Sequence, residues 1–261
     1  MNEVNKTLFI PLYGKARVSR QGIILNDPSA ERIWDAEGFP VRGKSRSKWL
    51  AYNMAMRARV FDDWTDAALK SRPDAAVLHI GCGLDSRCAR VRQPYVTWID
   101  CDLPDVIRVR KKYFEETPRY HMAALDASKP EEVSALPGGR EAVVILEGLS
   151  MYLTRDELCG LFLALEAKYD ALRVLMDVYT LFGARVSRYK NPVNDVGVTR
   201  LYGIDDIGGL LVGTRLSVIA ERTFTPDKLV DELKPSDRFV FRLLFTGRSY
   251  RRFYRLYELG S

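Results

Sequence analysis

The sequence predicts an α/β fold on a mostly parallel, doubly wound sheet, and three observations carry that expectation. A short apolar run, Ala75-Ala76-Val77-Leu78-His79-Ile80, ends in Gly81-Cys82-Gly83, as a buried parallel strand does where its turn must pass close to a ligand. About twenty residues later a second run, Val96-Thr97-Trp98-Ile99, ends in Asp100-Cys101-Asp102, and glycines after one strand with carboxylates after the next form the nucleotide half-site of such a sheet. Apolar runs then alternate with helical periodicities five times before a closing antiparallel hairpin.

In chain order, residues 1–45 mix apolar clusters with Pro11, Gly14, Gly22, Pro28 and Gly38, which is too broken for long regular elements before about Ser29 and suggests a cap or lid. From Ser45 to Leu69, Trp49, Tyr52, Met56, Val60, Trp64 and Ala68 recur at helical spacing, giving a long amphipathic helix that feeds the first strand at Ala76–Ile80. Strand 96–99 follows. Pro104 and Asp105 then open a helix running toward Phe114, with proline in the first turn and an acid at the positive end of the helix dipole. A short strand over 120–124 leads to Leu125-Asp126-Ala127, and the apolar strand 142–146 ends in Glu147-Gly148. Thr154-Arg155-Asp156-Glu157 is a capping box for a helix with Leu158, Leu161, Phe162 and Leu165 on its apolar face. A fifth strand spans 172–178. The glycine-rich stretch 179–212 predicts an irregular covering insertion, and strands over 239–246 and 250–259, joined at Gly247-Arg248-Ser249, predict the hairpin. Residues 1–70 thus form a lid and entry helix, and 71–261 the sheet core.

With 261 residues, 47% hydrophobic and 28% charged, the chain suits one large domain or a domain with a sizeable appendage. Its +6 formal charge comes from 40 basic and 34 acidic residues interspersed along the whole length, so no basic tail indicates nucleic acid. No run approaches a membrane span or a secretory core, and the expectation is a cytoplasmic protein without a membrane partner. Four scattered cysteines suit reduced thiols, and two histidines leave no basis for a histidine-rich metal centre. His79, inside the first strand, is expected to be structural.

The glycine pattern stops at Gly81-x-Gly83-x-x-Ser86, without the third glycine of a dinucleotide fingerprint, and no P-loop follows any strand. S-adenosylmethionine suits the turns better, because it presents a ribose, an adenine and a zwitterionic methionine end with no phosphate. The strand ends offer Gly81 and Gly83 as close backbone, Asp100 or Asp102 for the ribose, Asp126 for the adenine amine and Glu147 for the ammonium.

Leu78-His79-Ile80-Gly81-Cys82-Gly83-Leu84-Asp85-Ser86-Arg87, Asp102-Leu103-Pro104-Asp105-Val106-Ile107 and Glu147-Gly148-Leu149-Ser150-Met151-Tyr152-Leu153 resemble, in order and spacing, the motifs of the leucine carboxyl methyltransferase family. The stretch Ile10-Pro11-Leu12-Tyr13-Gly14-Lys15-Ala16, with Asn26-Asp27-Pro28, is similar to its polyketide (tetracenomycin-type) O-methyltransferase branch. The resemblance implies a class I methyltransferase (Rossmann-like) fold with an N-terminal helical lid and S-adenosylmethionine as cofactor. It implies that Lys15 and either Arg57 or Arg59, with Arg59 the better match, hold the methionine carboxylate, and that Tyr13 and Tyr152 face the acceptor. Cys82 and the loose adenine turn Asp126-Ala127-Ser128 depart from the family pattern.

Methyl transfer from a sulfonium needs alignment more than proton chemistry, and a carboxylate is already ionised at neutral pH whereas a phenol calls for a base. The scarcity of histidines therefore favours a carboxylate on a small, aromatic or polyketide-like acid as the acceptor. Arg185, Arg188 or Lys190 of the covering stretch would draw that anion in. Two alternatives are a protein C-terminal carboxyl methyltransferase and a non-catalytic nucleic-acid binder. The second rests on Tyr250-Arg251-Arg252-Phe253-Tyr254-Arg255, a stretch that a closing strand with one buried face explains equally well.

Overall fold

Apolar runs of strand length become the parallel part of a single sheet. The computed structural model describes residues 8–39, 43–190 and 201–261. In it β1 (Ala76–Ile80), β2 (Thr97–Asp102), β3 (Tyr120–Ala124), β4 (Gly139–Leu146) and β5 (Tyr169–Tyr179) are joined by β6 (Ser217–Arg222) and β7 (Tyr254–Gly260) in the order β3-β2-β1-β4-β5-β7-β6. The first five strands run parallel, and β7 is antiparallel to both neighbours. The order reverses between β1 and β4, so a crevice forms beyond the carboxyl ends of those two strands.

The helices of the lid region are α1 (Phe9–Ser19), α2 (Pro28–Glu37) and the 24-residue α3 (Lys48–Ser71). Then come α4 (Arg87–Arg90), α5 (Pro104–Arg110), α6 (Arg155–Lys168), α7 (Leu181–Lys190), α8 (Ile207–Leu210), α9 (Asp227–Val230), α10 (Pro235–Phe245) and α11 (Gly247–Arg251). Because strand side chains alternate, each run fills both faces of the sheet. Leu78, Ile80, Val144, Leu146, Val174 and Met176 pack with Leu158, Leu161 and Phe162 of α6 on one side. Val77, Trp98, Val143, Ile145 and Leu175 pack with Phe61, Trp64 and Leu69 of α3 on the other. Each such side chain, fully buried, contributes about 1.5–3 kcal/mol. The α6 capping box forms as the sequence predicts: Glu157 N donates to Thr154 Oγ1 at 3.2 Å, and Thr154 N donates to Glu157 Oε2 at 2.7 Å.

Three expectations are corrected. Residues 9–19 are helical, because Pro11 sits in the first turn, where its missing N–H costs no helix bond. Gly14 lets α1 lie directly on α3, since a Cβ there would stand 3.0 Å from Met54 Cβ and 3.2 Å from Ala51 Cα. Residues 239–245 belong to α10, not to a strand: Pro235 opens the helix, Phe241 and Phe245 face inward one turn apart, and Arg242 pairs with Asp231 outside. The antiparallel pair is β6 with β7, in the register Val218↔Leu259 and Arg222↔Leu256. Finally, residues 181–190 of the expected irregular insertion are the helix α7. Residues 191–200, with Asn194 and Asp195, lie outside the described residues, as do the side chains of Arg188 and Lys190.

Gly183 fixes where α7 sits, because a Cβ there would be 2.1 Å from the carbonyl oxygen of Phe253. Gly183→Ala is expected to cost about 1–3 kcal/mol by overpacking, and each kcal/mol lowers Tm by roughly 2–4 °C. Gly208→Ala, where a Cβ meets only Asp206 Oδ1 at 3.6 Å, is expected to leave Tm at or slightly above the parent value. Thermal unfolding of the two variants checks both.

Candidate functional site

Past Ile80 the chain needs two left-handed residues, and Gly81 (φ +74°) and Gly83 (φ +53°) supply them. Gly81 N and Cys82 N both donate to the Cys101 carbonyl, at 2.8 and 3.1 Å, which folds the turn against the end of β2. Gly83 N donates to Asp102 Oδ2 at 2.7 Å, and Leu103 N donates to Asp102 Oδ1 at 2.8 Å. One carboxylate thus ties the first strand-end turn to the second. Burial raises the Asp102 pKa above the ordinary carboxylate value, against the pull of these two backbone donors.

Over the turns lies a cavity of about 740 Å³, a size typical of small-molecule sites. Gly81, Gly83, Asp102, Leu125, Ala127 and Glu147 line it. Leu12 and Lys15 of α1 and Trp49, Asn53 and Arg57 of α3 also line it. So do Met151, Tyr152, Tyr179, Tyr250 and Tyr254, with Phe245 from α10. The Tyr254 ring stacks on Phe224 (4.6 Å between centroids) and lies 4.8 Å from Tyr179, so these aromatics form a packed wall.

A buried ionic cluster closes the polar side. Arg87, with no exposed surface, donates from Nε to Asp62 Oδ1 at 2.7 Å, approaches Asp85 Oδ2 at 3.1 Å and bonds Glu147 Oε2. Arg90 reaches Asp62 Oδ2 at 2.7 Å, Asp85 Oδ1 at 2.7 Å and Asp27 Oδ2 at 2.6 Å. Lys15 Nζ lies 3.0 Å from Asp85 Oδ1. Arg57 donates from Nε to Glu147 Oε1 at 3.0 Å and from Nη1 to Asp177 Oδ2 at 3.1 Å and Tyr254 Oη at 2.9 Å. Burial opposes ionisation of Glu147, but Arg87 and Arg57 outweigh it and hold its pKa down to about 2. Asp85 is likewise held well below the usual range: burial works against it, and Arg90, Lys15 and Arg87 prevail. At Asp177 burial prevails over Arg57, and its pKa is raised. Burial also pushes the Tyr254 phenol well up, so it stays protonated.

Among the residues singled out from the sequence, Lys15, Arg57, Gly81, Gly83, Asp102, Glu147 and Tyr152 meet at the cavity. Arg59 does not line it; that side chain pairs with Asp63 at 3.0 Å and donates to the Ile24 carbonyl. Two residues along a helix is about 200° around it, so only one of the two arginines can face the sheet. Asp100 is fully buried away from the cavity, bonded by Arg110, by Tyr120 Oη at 2.7 Å and by Trp98 Nε1 at 2.8 Å. Asp126 turns back on Ser128, whose N and Oγ donate to its Oδ1, and only its neighbours Leu125 and Ala127 line the cavity. Tyr13 lies outside the lining, its hydroxyl accepting from Arg17 at 3.2 Å and its ring against Trp34. Arg185 is exposed and also outside it. His79 is buried in β1, 3.3 Å from Asp100 Oδ1, and touches the cavity floor. Tyr250 and Tyr254 face the cavity, while Arg251 pairs outside with Glu221 at 2.8 Å.

Sequence reasoning missed Asp177, Asn53 and Tyr254. Asp177 lies near the end of β5 as Glu147 lies after β4, so the strand-end acid pattern that found the others could have found it.

A family model described as leucine carboxyl methyltransferase matches residues 12–165. The tetracenomycin polyketide synthesis O-methyltransferase TcmP of Streptomyces glaucescens is 31% identical over 206 residues, 77% of this chain and 75% of the relative. The S-adenosyl-L-methionine-dependent methyltransferase dpfgK of Gibberella zeae is 32% identical over 174 residues, 60% of this chain and 58% of the relative. Among solved structures, the magnesium protoporphyrin IX methyltransferase ChlM from Synechocystis PCC 6803 with bound SAH aligns with a TM-score of 0.53 at 11% identity, over 89% of this chain and 94% of that one. A S-adenosylmethionine-dependent methyltransferase from Clostridium acetobutylicum aligns with a TM-score of 0.51 at 12% identity, over 76% and 89%. These two likenesses show a shared fold.

Arg57→Ala takes the cationic partner from buried Asp177, leaves Glu147 with Arg87 alone and is expected to cost about 3–5 kcal/mol, whereas Arg59→Ala removes a part-exposed pair worth under about 1 kcal/mol. Urea unfolding of the two variants gives the comparison. Because the folded pKa values of Glu147 and Asp85 lie below their unfolded values, the unfolded chain takes up protons first as pH falls. Stability is therefore expected to be full above about pH 4.5 and to decline toward pH 2. Glu147→Gln is expected to flatten that decline in a pH series of urea midpoints.

Proposed function

Because this chain belongs to the leucine carboxyl methyltransferase family and is an S-adenosylmethionine-dependent methyltransferase, we propose that it methylates an oxygen of a small aromatic or polyketide-like acid, the carboxylate first. The observation that carries this reading is one cavity lined both by strand-end glycines and charges and by four tyrosines, Tyr152, Tyr179, Tyr250 and Tyr254.

The residues present fit the donor. A Cβ at Gly83 would enter space bounded only by Leu8, 3.6 Å away, so the bare backbone there leaves room for a ligand. Glu147 keeps about two of its roughly four acceptor sites after Arg57 and Arg87 are bonded, enough for an ammonium. Lys15 and Arg57, both within the electrostatic reach of Glu147, would hold the methionine carboxylate. Asp102 would take the ribose hydroxyls. The adenine would lie beside Leu125 and Ala127, and its edge would meet backbone there instead of the Asp126 carboxylate. The cluster joins four cations, Lys15, Arg57, Arg87 and Arg90, to five carboxylates, Asp27, Asp62, Asp85, Glu147 and Asp177. That excess of negative charge suits a ligand with a net positive one.

When bound, S-adenosylmethionine supplies a methyl group on a sulfonium sulfur. The chain's part is to orient and to exclude water. Lid residues such as Leu12 cover the cavity, and Met151 with the tyrosines gives the acceptor an apolar, aromatic seat. Tyr254 stays protonated and bonded to Asp177, so it is a hydrogen-bond donor and not a ready base. This supports an acceptor that arrives ionised.

Purified protein given labelled donor and a panel of aromatic acids and phenols is expected to yield methyl esters. Methylation confined to the phenols would remove the carboxylate from the proposal. In calorimetry Glu147→Ala is expected to weaken S-adenosylmethionine binding at least about tenfold, the loss of one charge-assisted bond. Unchanged affinity would refute the assignment of Glu147 to the ammonium.

A further inference from the structure

Val186 of α7, Leu244 of α10 and Phe253 just before β7 line the cavity and are also exposed, so they stand at its mouth. From there the apolar surface continues outward. The Phe182 ring of α7 lies against Phe253, 5.0 Å between centroids. Along α10, Leu243 and Phe239, one turn apart, are 69% and 73% exposed and border a second hollow with Arg238 and Arg242. Twelve large hydrophobic side chains are exposed among the described residues, and seven of them belong to α7, α10 and Phe253. Scattered exposed side chains need no explanation, whereas a group of them at the rim of a cavity marks an interaction site.

Charge selects the occupant. Positive and negative residues are interspersed along the chain, but the excess is not. Residues 234–255, which contain α10 and α11, carry seven cations and one carboxylate, Asp237, while the rest of the chain carries 33 of each sign. Asp231 holds Arg238 and Arg242, and Glu221 holds Arg251. Arg248 and Arg252 are exposed and have no carboxylate partner among the described residues, and Arg185, next to Val186, is in the same condition. The Arg252 guanidinium lies over the Phe182 ring, 5.6 Å from its centroid, so a free cation sits on the apolar surface itself.

A second copy of the chain would set the same cations against these, so a two-fold contact here is not self-complementary. A lipid surface asks for apolar side chains that enter the headgroup layer and for unfixed cations beside them, with anionic lipids supplying the attraction. The expectation of no membrane partner rested on spanning length, and no described helix is long and apolar enough to cross a membrane. Lying on the surface requires no such length.

We propose that the cavity mouth docks on an anionic lipid surface, its apolar rim set into the headgroup layer and Arg185, Arg248 and Arg252 facing the lipid anions. A hydrophobic molecule dissolved in the lipid then reaches the aromatic lining of the cavity without crossing water.

Cosedimentation with vesicles, read without donor or acceptor, tests this apart from the methyltransfer reading. The parent is expected to bind phosphatidylcholine vesicles containing about one third phosphatidylglycerol roughly tenfold more tightly than pure phosphatidylcholine, and to lose most of that preference at about 1 M salt. Phe239→Ser combined with Leu243→Ser is expected to weaken binding about tenfold, and Arg248→Gln combined with Arg252→Gln about 10- to 30-fold. All four side chains are exposed and outside the cavity lining, so the unfolding temperature and the affinity for S-adenosylmethionine are expected to match the parent in both variants. Absence of binding, or equal binding to neutral and anionic vesicles, would overturn the proposal. So would binding that the arginine changes weaken and the Phe239 and Leu243 changes leave intact, since an acidic protein surface would serve that attraction as well. A parent dimer that the Phe239 and Leu243 changes dissolve would assign the rim to a second copy and overturn it too.

Discussion

The Arg87 guanidinium, sealed between Asp62 of the long helix, Asp85 of the glycine turn and Glu147 after β4, is the interaction on which the rest of the site depends. Burying such a group is expensive, and ion pairs in a protein interior seldom add net stability over apolar side chains of similar volume. What they provide is geometry. A guanidinium presents five N–H donors in a rigid plane, so one side chain fixes the relative positions of three segments far apart in sequence. Arg90 and Lys15 extend the same lattice to Asp27 and to α1, and Arg57 carries it to Asp177 and Tyr254 at the far side of the sheet. Lid and sheet are locked together by charge around the cavity, while apolar packing secures the elements behind it.

The backbone prepares this arrangement before any side chain acts. Parallel strands end on one edge, so residues just past β1, β2, β4 and β5 converge there whatever their separation in the chain. Carboxylates gathered in that way would repel one another, and the arginines of α3 and α4 neutralise most of that repulsion. Gly148, with φ of +69°, shows how tightly the two layers meet: a Cβ there would stand 3.2 Å from Arg57 Nη2.

The glycine turn, the succession of strands up to β5, the α6 cap and the strand-end acids Asp102 and Glu147 were legible in the sequence, because each is a local pattern with one structural meaning. Arg57 and Arg59 were not separable, since their assignment depends on which face of α3 packs on the sheet. Asp100 and Asp102 share a strand face, and only Arg110 and Tyr120, brought in by α5 and β3, decide that the first is consumed in the core. Asp126 carried a readable signal in Ser128 two residues on, a pattern that lets a carboxylate bond its own turn. The run from Phe239 to Phe245 looks like a strand by composition. It is a helix because its apolar side chains meet the cluster of Tyr52, Met56 and Leu229 at a spacing of four.

The surplus carboxylate of the ionic cluster bears on turnover. S-adenosylmethionine carries a net positive charge, and the thioether left after methyl transfer carries none. With all five carboxylates ionised, the cluster would on the proposed reading favour the fresh donor over the spent one, at the short range where water is excluded. If these charges orient the donor as proposed, they would also bias exchange toward it at the end of the cycle.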